Sequence, residues 1–219
     1  MRPTGSLAEQ AVTIRVVRHA STAHTGQRYC GSGAGAADPG LAVDAAAQVA
    51  GAALDLDRWP TPRVLTSPAR RCQQTAAVLL GCGLSWANGC GEPSIEPGIS
   101  EVNFGRWEGL SSAQARAMDP HLWASWLADP EVAPPGGTSL AQAANALAPV
   151  VAEMTRGVQR DWLLVGHATT VRLVIANALE LPLAKVSRIS TPPACVAVVR
   201  LWPDGGGCLD FLSARSTTP

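Results

Sequence analysis

Two histidines and a set of arginines stand where short apolar or β-branched runs end. The run Val12–Arg18 (VTIRVVR) leads straight into His19. Residues 62–66 (PRVLT) lead into Ser67, with Arg70 and Arg71 about one helical turn later. Residues 161–166 (DWLLVG) lead into His167. If these runs are strands of one parallel sheet, their carboxyl ends open on a single crevice, the place where ligands bind in open α/β sheets. Helices that start just beyond such strands aim backbone N–H groups at the same crevice. Imidazoles and guanidiniums gathered there suit a phosphate, because the planar arginine fork matches phosphate oxygens and keeps its charge at any ordinary pH. No carboxylate cluster with metal-ligand spacing and no C-x5-R loop accompanies them. The attacking group is then a neutral imidazole, which can form a covalent phosphohistidine. The leaving group needs a proton donor. Glu101, in ISEVNFGRWEG, is the first candidate, since a carboxyl beside Phe104 and Trp107 can hold a proton near neutrality; Glu108 competes for the role.

The rest of the chain supplies elements to position these groups. The Ala-rich stretch Leu41–Leu56 predicts a helix. Ser67-Pro68 predicts a second helix, with Ser as its cap and Pro in the first turn, running to about Leu80 and ending near Gly81 and Gly83. Residues 81–98 read as a surface excursion with one short strand, and residues 99–137 as an irregular insert with short helices near Ser111–Met118 and His121–Ala128. Thr138 or Ser139 caps a helix that runs to about Gly157, and Thr169–Leu179 is the next. Residues 194–202 and 208–213 close the fold as strands, joined through the turn Pro203-Asp204-Gly205. Strands that alternate with helices predict an α/β single-domain sandwich with a largely parallel central sheet. Residues 1–11 are expected to be a flexible tail and residues 12–215 the domain, a size that can bury one substantial core.

Composition narrows the function classes. Lys+Arg and Asp+Glu both number 17 in 219 residues, so no global basic field draws in nucleic acid or an acidic membrane. No apolar run is long enough to span a bilayer, and the N-terminal residues lack the order of a secretory signal. The six cysteines are scattered without a CxxC pair, which argues against zinc and for a reducing cytoplasm; pairing of Cys82 with Cys90 stays open. His24 and His121 read as surface residues, and Trp107, Trp123 and Trp126 as packing for the insert.

The run VRHAST, Val17 to Thr22, resembles the RHG-x-T signature of the histidine phosphatase superfamily, whose fold is that of phosphoglycerate mutase. The resemblance continues through RYCG (Arg28–Gly31), SPARRCQQTA (Ser67–Ala76), EVNFGRWEG (Glu101–Gly109), PPGGTS (Pro134–Ser139) and VGH (Val165–His167), in the order of the family. It implies a three-layer sandwich, phosphorylation of His19, a phosphate held by Arg18, Arg71 and His167, and Glu101 as acid and later as base. It places the family arginine at Arg71 rather than Arg70. No metal or other cofactor is implied. The RYCG, FGRWEG and PPGG blocks look most like the α-ribazole phosphatase branch. Departures exist: the glycine after the catalytic histidine is Ala20, the acidic residue is Ser21, and the family asparagine is Thr25, whose hydroxyl can still donate to substrate. Ala20 is expected to narrow the pocket. Arg28 is either a substrate contact or an exposed loop arginine. The expected ligand is a small phosphorylated metabolite; a phosphoglycerate mutase-type phosphotransferase and a non-catalytic phospho-ligand binder are the competing readings, and a homodimer is compatible with all three.

Overall fold

The computed structural model describes residues 11–32, 38–60 and 62–213. The expected tail falls outside them except for residue 11, as do residues 214–215 of the expected domain. A six-stranded sheet forms the middle layer, in the order β3-β2-β4-β1-β5-β6: β1 is Val12–Arg18, β2 Arg63–Thr66, β3 Ser94–Ile95, β4 Asp161–Gly166, β5 Val196–Leu201 and β6 Gly207–Leu212. The first four run parallel; β5 lies antiparallel to β1, and β6 to β5. This is the mostly parallel α/β fold that the alternation predicts.

Side chains alternate along β1. Val12, Ile14 and Val16 join a core under α5 (Leu140–Arg156) and α6 (Ala168–Ala178), while Val17 joins a second core under α1 (Ala45–Leu56) and α2 (Arg70–Leu80). Both faces of the sheet are therefore covered, which is why its central strands read as nearly continuous apolar runs. The insert holds two short helices, α3 (Ser112–Met118) and α4 (Pro120–Ala128). No described helix is long and apolar enough to cross a membrane.

Two helix starts differ from expectation for the same reason. Leu41 and Ala42 do not begin α1; the segment is pinned to its neighbours instead, their amides donating to Gln74 Oε1 and to Ser21 O, both at 2.9 Å. Ser67 does not cap α2: its amide extends the pairing of β2 with β4 by donating to Val165 O at 3.0 Å, and its hydroxyl bonds His167. The helix begins at Arg70, two residues later than expected, after extended Ala69. In both cases tertiary hydrogen bonds claimed groups that local propensity assigns to a helix. The cap at Ser139 is as predicted, a reciprocal pair with Gln142. The turn at 203–205 closes the β5–β6 hairpin, with Gly205 at φ +93°.

Candidate active site

His19 leaves the carboxyl end of β1. Its amide donates to Gly166 O at 2.8 Å, and its carbonyl accepts from Ala194 N at 3.3 Å. The ring is 7% exposed. Its Nδ1 lies 2.8 Å from Ala20 O, a carbonyl that can only accept, so Nδ1 carries the proton and Nε2 keeps its lone pair. Burial, then the cations of Arg71 and Arg18, push its pKa down to about 3 against the raising effect of the Ala20 carbonyl. The imidazole is a neutral base with a fixed tautomer.

Arg71 comes from the first turn of α2 and is buried. One terminal nitrogen meets Asp38 Oδ1 at 3.3 Å. The other donates to Cys30 O at 3.1 Å and to His167 Nδ1 at 3.2 Å. A guanidinium cannot accept, so the His167 proton sits on Nε2 and is donated to Ser67 Oγ at 2.8 Å. His167 is fully buried, and burial holds its pKa well below the usual histidine value, reinforced by Arg71, His19 and Arg18. Its ring stands edge-on to His19, with centroids 5.3 Å apart. Just past β4, Thr170 Oγ1 accepts from His167 N and donates to Ile99 O, both at 3.1 Å. Gly166 must be glycine for this to happen, since a Cβ would lie 2.7 Å from that oxygen. The loop carrying Glu101 is thereby tied to the end of β4.

Arg18, His19, Arg71 and Glu101 line one cavity of about 360 Å3. Burial lowers the pKa of Arg18, while the charge of Glu101 is the largest influence raising it. His167 is not on the cavity wall; it stands one layer back and braces Arg71. Thr25 and Arg28 do line the cavity, although Arg28 is exposed and donates to Gly109 O at 2.8 Å. Arg70 is exposed and lies off the cavity. Glu108 is a clamp: Oε2 accepts from Gly31 N at 2.8 Å and Oε1 from Phe104 N at 3.0 Å, and it does not reach the cavity wall. Ala20 does not narrow the pocket, because its methyl packs into the core under α1 and α2. His24, expected at the surface, lines the cavity with its Nδ1 buried, and Trp126 both packs the insert and forms wall. Cys82 and Cys90 are both thiols. Among the described residues, no group of three or more His, Cys, Asp or Glu could hold a metal ion.

Residues 14–212 match the histidine phosphatase superfamily (branch 1). The chain belongs to this superfamily. A bifunctional protein of Mycobacterium tuberculosis is 30% identical over 212 residues, covering 91% of this chain. The chain spans 53% of that relative's length, about half of the longer proteins it matches. An acid phosphatase of the same species is 32% identical over 156 residues, which cover 69% of this chain and 68% of the relative. A solved mycobacterial glucosyl-3-phosphoglycerate phosphatase superposes with a TM-score of 0.77 at 25% identity, over 93% of this chain and 99% of that one.

Proposed function

We propose that this histidine phosphatase is a metal-independent phosphoric monoester hydrolase that works through a phosphohistidine at His19. The observation that carries the reading is the bond from Nδ1 to Ala20 O, which leaves a lone pair on Nε2 in a cavity that also holds two arginines and a carboxyl. His19 Nε2 attacks phosphorus and the P–O bond to the alcohol breaks. Arg18 and Arg71 stabilise the charge spread over the equatorial oxygens. Glu101 gives its proton to the departing alcohol oxygen. Water then attacks the phosphohistidine while the Glu101 carboxylate takes one water proton, and the N–P bond breaks to release inorganic phosphate and free His19. His167, with its tautomer set by Ser67, holds Arg71 in line.

The substrate is a small phosphorylated metabolite, and the motif resemblance puts α-ribazole 5′-phosphate among the esters to test. The decisive experiment measures phosphate release from a panel that includes this ester and 3-phosphoglycerate, by wild type and His19→Ala side by side. Turnover by wild type that disappears in the variant is the expected result. Equal turnover by both would remove His19 from the mechanism. Interconversion of 2- and 3-phosphoglycerate with little free phosphate would make the chain a mutase instead.

A further inference from the structure

Beyond the reacting groups, the cavity wall is mostly apolar, with His24, Thr25, Arg28, Arg172 and Ser187 among its polar members. Tyr29, Phe104 and Trp126 form one side, and Leu140, Leu183 and Val186 contribute to the lining elsewhere. The aromatic side is preorganised. Tyr29 and Phe104 lie with ring centroids 4.8 Å apart, and Trp126 stands edge-on to both at 5.7 and 6.2 Å. Trp107, fully buried, backs this group at 5.4 Å from Trp126. The Tyr29 backbone pairs with Leu110 O and Gly109 N at 2.8 and 2.9 Å, and its hydroxyl accepts from Trp123 Nε1 at 3.3 Å. Glu108 fastens Gly31, two residues from Tyr29, and Phe104 to each other. These rings are not free to swing aside for a hydrated group.

We infer that the alcohol released by this enzyme carries an aromatic ring or a bulky apolar group, seated on Tyr29, Phe104 and Trp126. The inference rests on the phosphatase reading of the same site and adds the substrate class. A polyhydroxylated alcohol placed against the Tyr29, Phe104 and Trp126 rings would lose water from the hydroxyls that face them without gaining partners there, which costs more than the contact returns. An apolar group loses nothing there and gains ring contact. The sugar-bearing substrate in the name of the glucosyl-3-phosphoglycerate phosphatase relative is the kind of ester this wall disfavours.

Benzyl phosphate and glycerol 1-phosphate test the idea, because both leaving groups are primary alcohols and neither is an activated ester. Wild type should show kcat/KM at least about tenfold higher for benzyl phosphate, as apolar-pocket discrimination allows. Trp126→Ala should shrink that ratio, mainly through KM for the benzyl ester, and Trp126→Phe should restore it. The wild-type ratio decides even if Trp126→Ala does not fold. Turnover of both esters at similar kcat/KM, or faster turnover of the glycerol ester, would overturn the inference and leave the phosphatase reading standing. Turnover of neither ester, nor of any panel ester, would overturn both.

Discussion

Ser67→Ala probes the part of the site that does not touch the cavity. Ser67 and His167 are both fully buried, and Ser67 Oγ is the acceptor for His167 Nε2–H at 2.8 Å. The alanine variant leaves that donor only Cys72 Sγ, a weak acceptor 3.5 Å away, in a place water does not reach, a loss of about 1–3 kcal/mol. The ring cannot turn over to escape, because doing so points an N–H at the Arg71 guanidinium. For a chain of this size each kcal/mol moves Tm by roughly 2–4 °C, so Tm should fall by roughly 2–12 °C. Catalysis should suffer as well. Arg71 loses its rigid backing, and a small displacement of a charge-stabilising group lowers kcat by about tenfold or more. Thermal unfolding and phosphate release, with the exposed Ser112→Ala as control, measure both effects. A Tm shift under about 1 °C together with wild-type kcat would refute the assigned tautomer and the bracing role of His167.

The two buried imidazoles set a pH dependence of stability. Both are neutral in the folded chain and take up protons when it unfolds below their ordinary value of 6.5, so the unfolded state binds more protons and stability falls as pH drops from there; for His19 the loss continues to about pH 3. Urea titrations at pH 7 and 5 should show a slope approaching ~1.4 kcal/mol per unit per histidine, flatter in His19→Asn, and an unchanged slope in that variant would contradict a neutral His19. Glu101→Gln should slow esters of poorly leaving alcohols more than nitrophenyl phosphate, whereas Glu108→Gln should slow both alike; the reverse pattern would exchange their roles. Gly166→Ala drives a methyl to 2.7 Å from Thr170 Oγ1 and should cost about 1–3 kcal/mol in denaturant unfolding, along with most activity. Wild-type behaviour there would mean the β4 turn is looser than described.

The convergence of Arg18, His19, Arg71 and Glu101 on one cavity was largely legible because it is written locally. His19 and His167 follow runs whose composition alone marks them as strands, and parallel strand ends converge by geometry rather than by side-chain detail. Arg71 was separable from Arg70 only through the resemblance, since helical periodicity does not say which of two neighbours faces inward. The sequence put Glu101 ahead of Glu108, but that Glu108 is a clamp was hidden, because its bond to Gly31 joins segments 77 residues apart. Ser67 was misread as a cap for the same reason: its true partner lies 100 residues away. The aromatic wall and His24 left no local signal. A tryptophan every few residues reads the same whether it packs an insert or lines a cavity, and Trp126 does both.

The backbone of His19 is stitched on both sides, to Gly166 of β4 and to Ala194 ahead of β5, at the centre of the sheet. Amides in such a position are among the last to exchange with solvent. The proposed nucleophile is thus held by the sheet, whereas Phe104 and Trp126, two of the three rings inferred to seat the alcohol, come from the insert. Substitutions at Phe104 and Trp126 can reshape the cavity wall while the histidine and its proton stay where the sheet puts them.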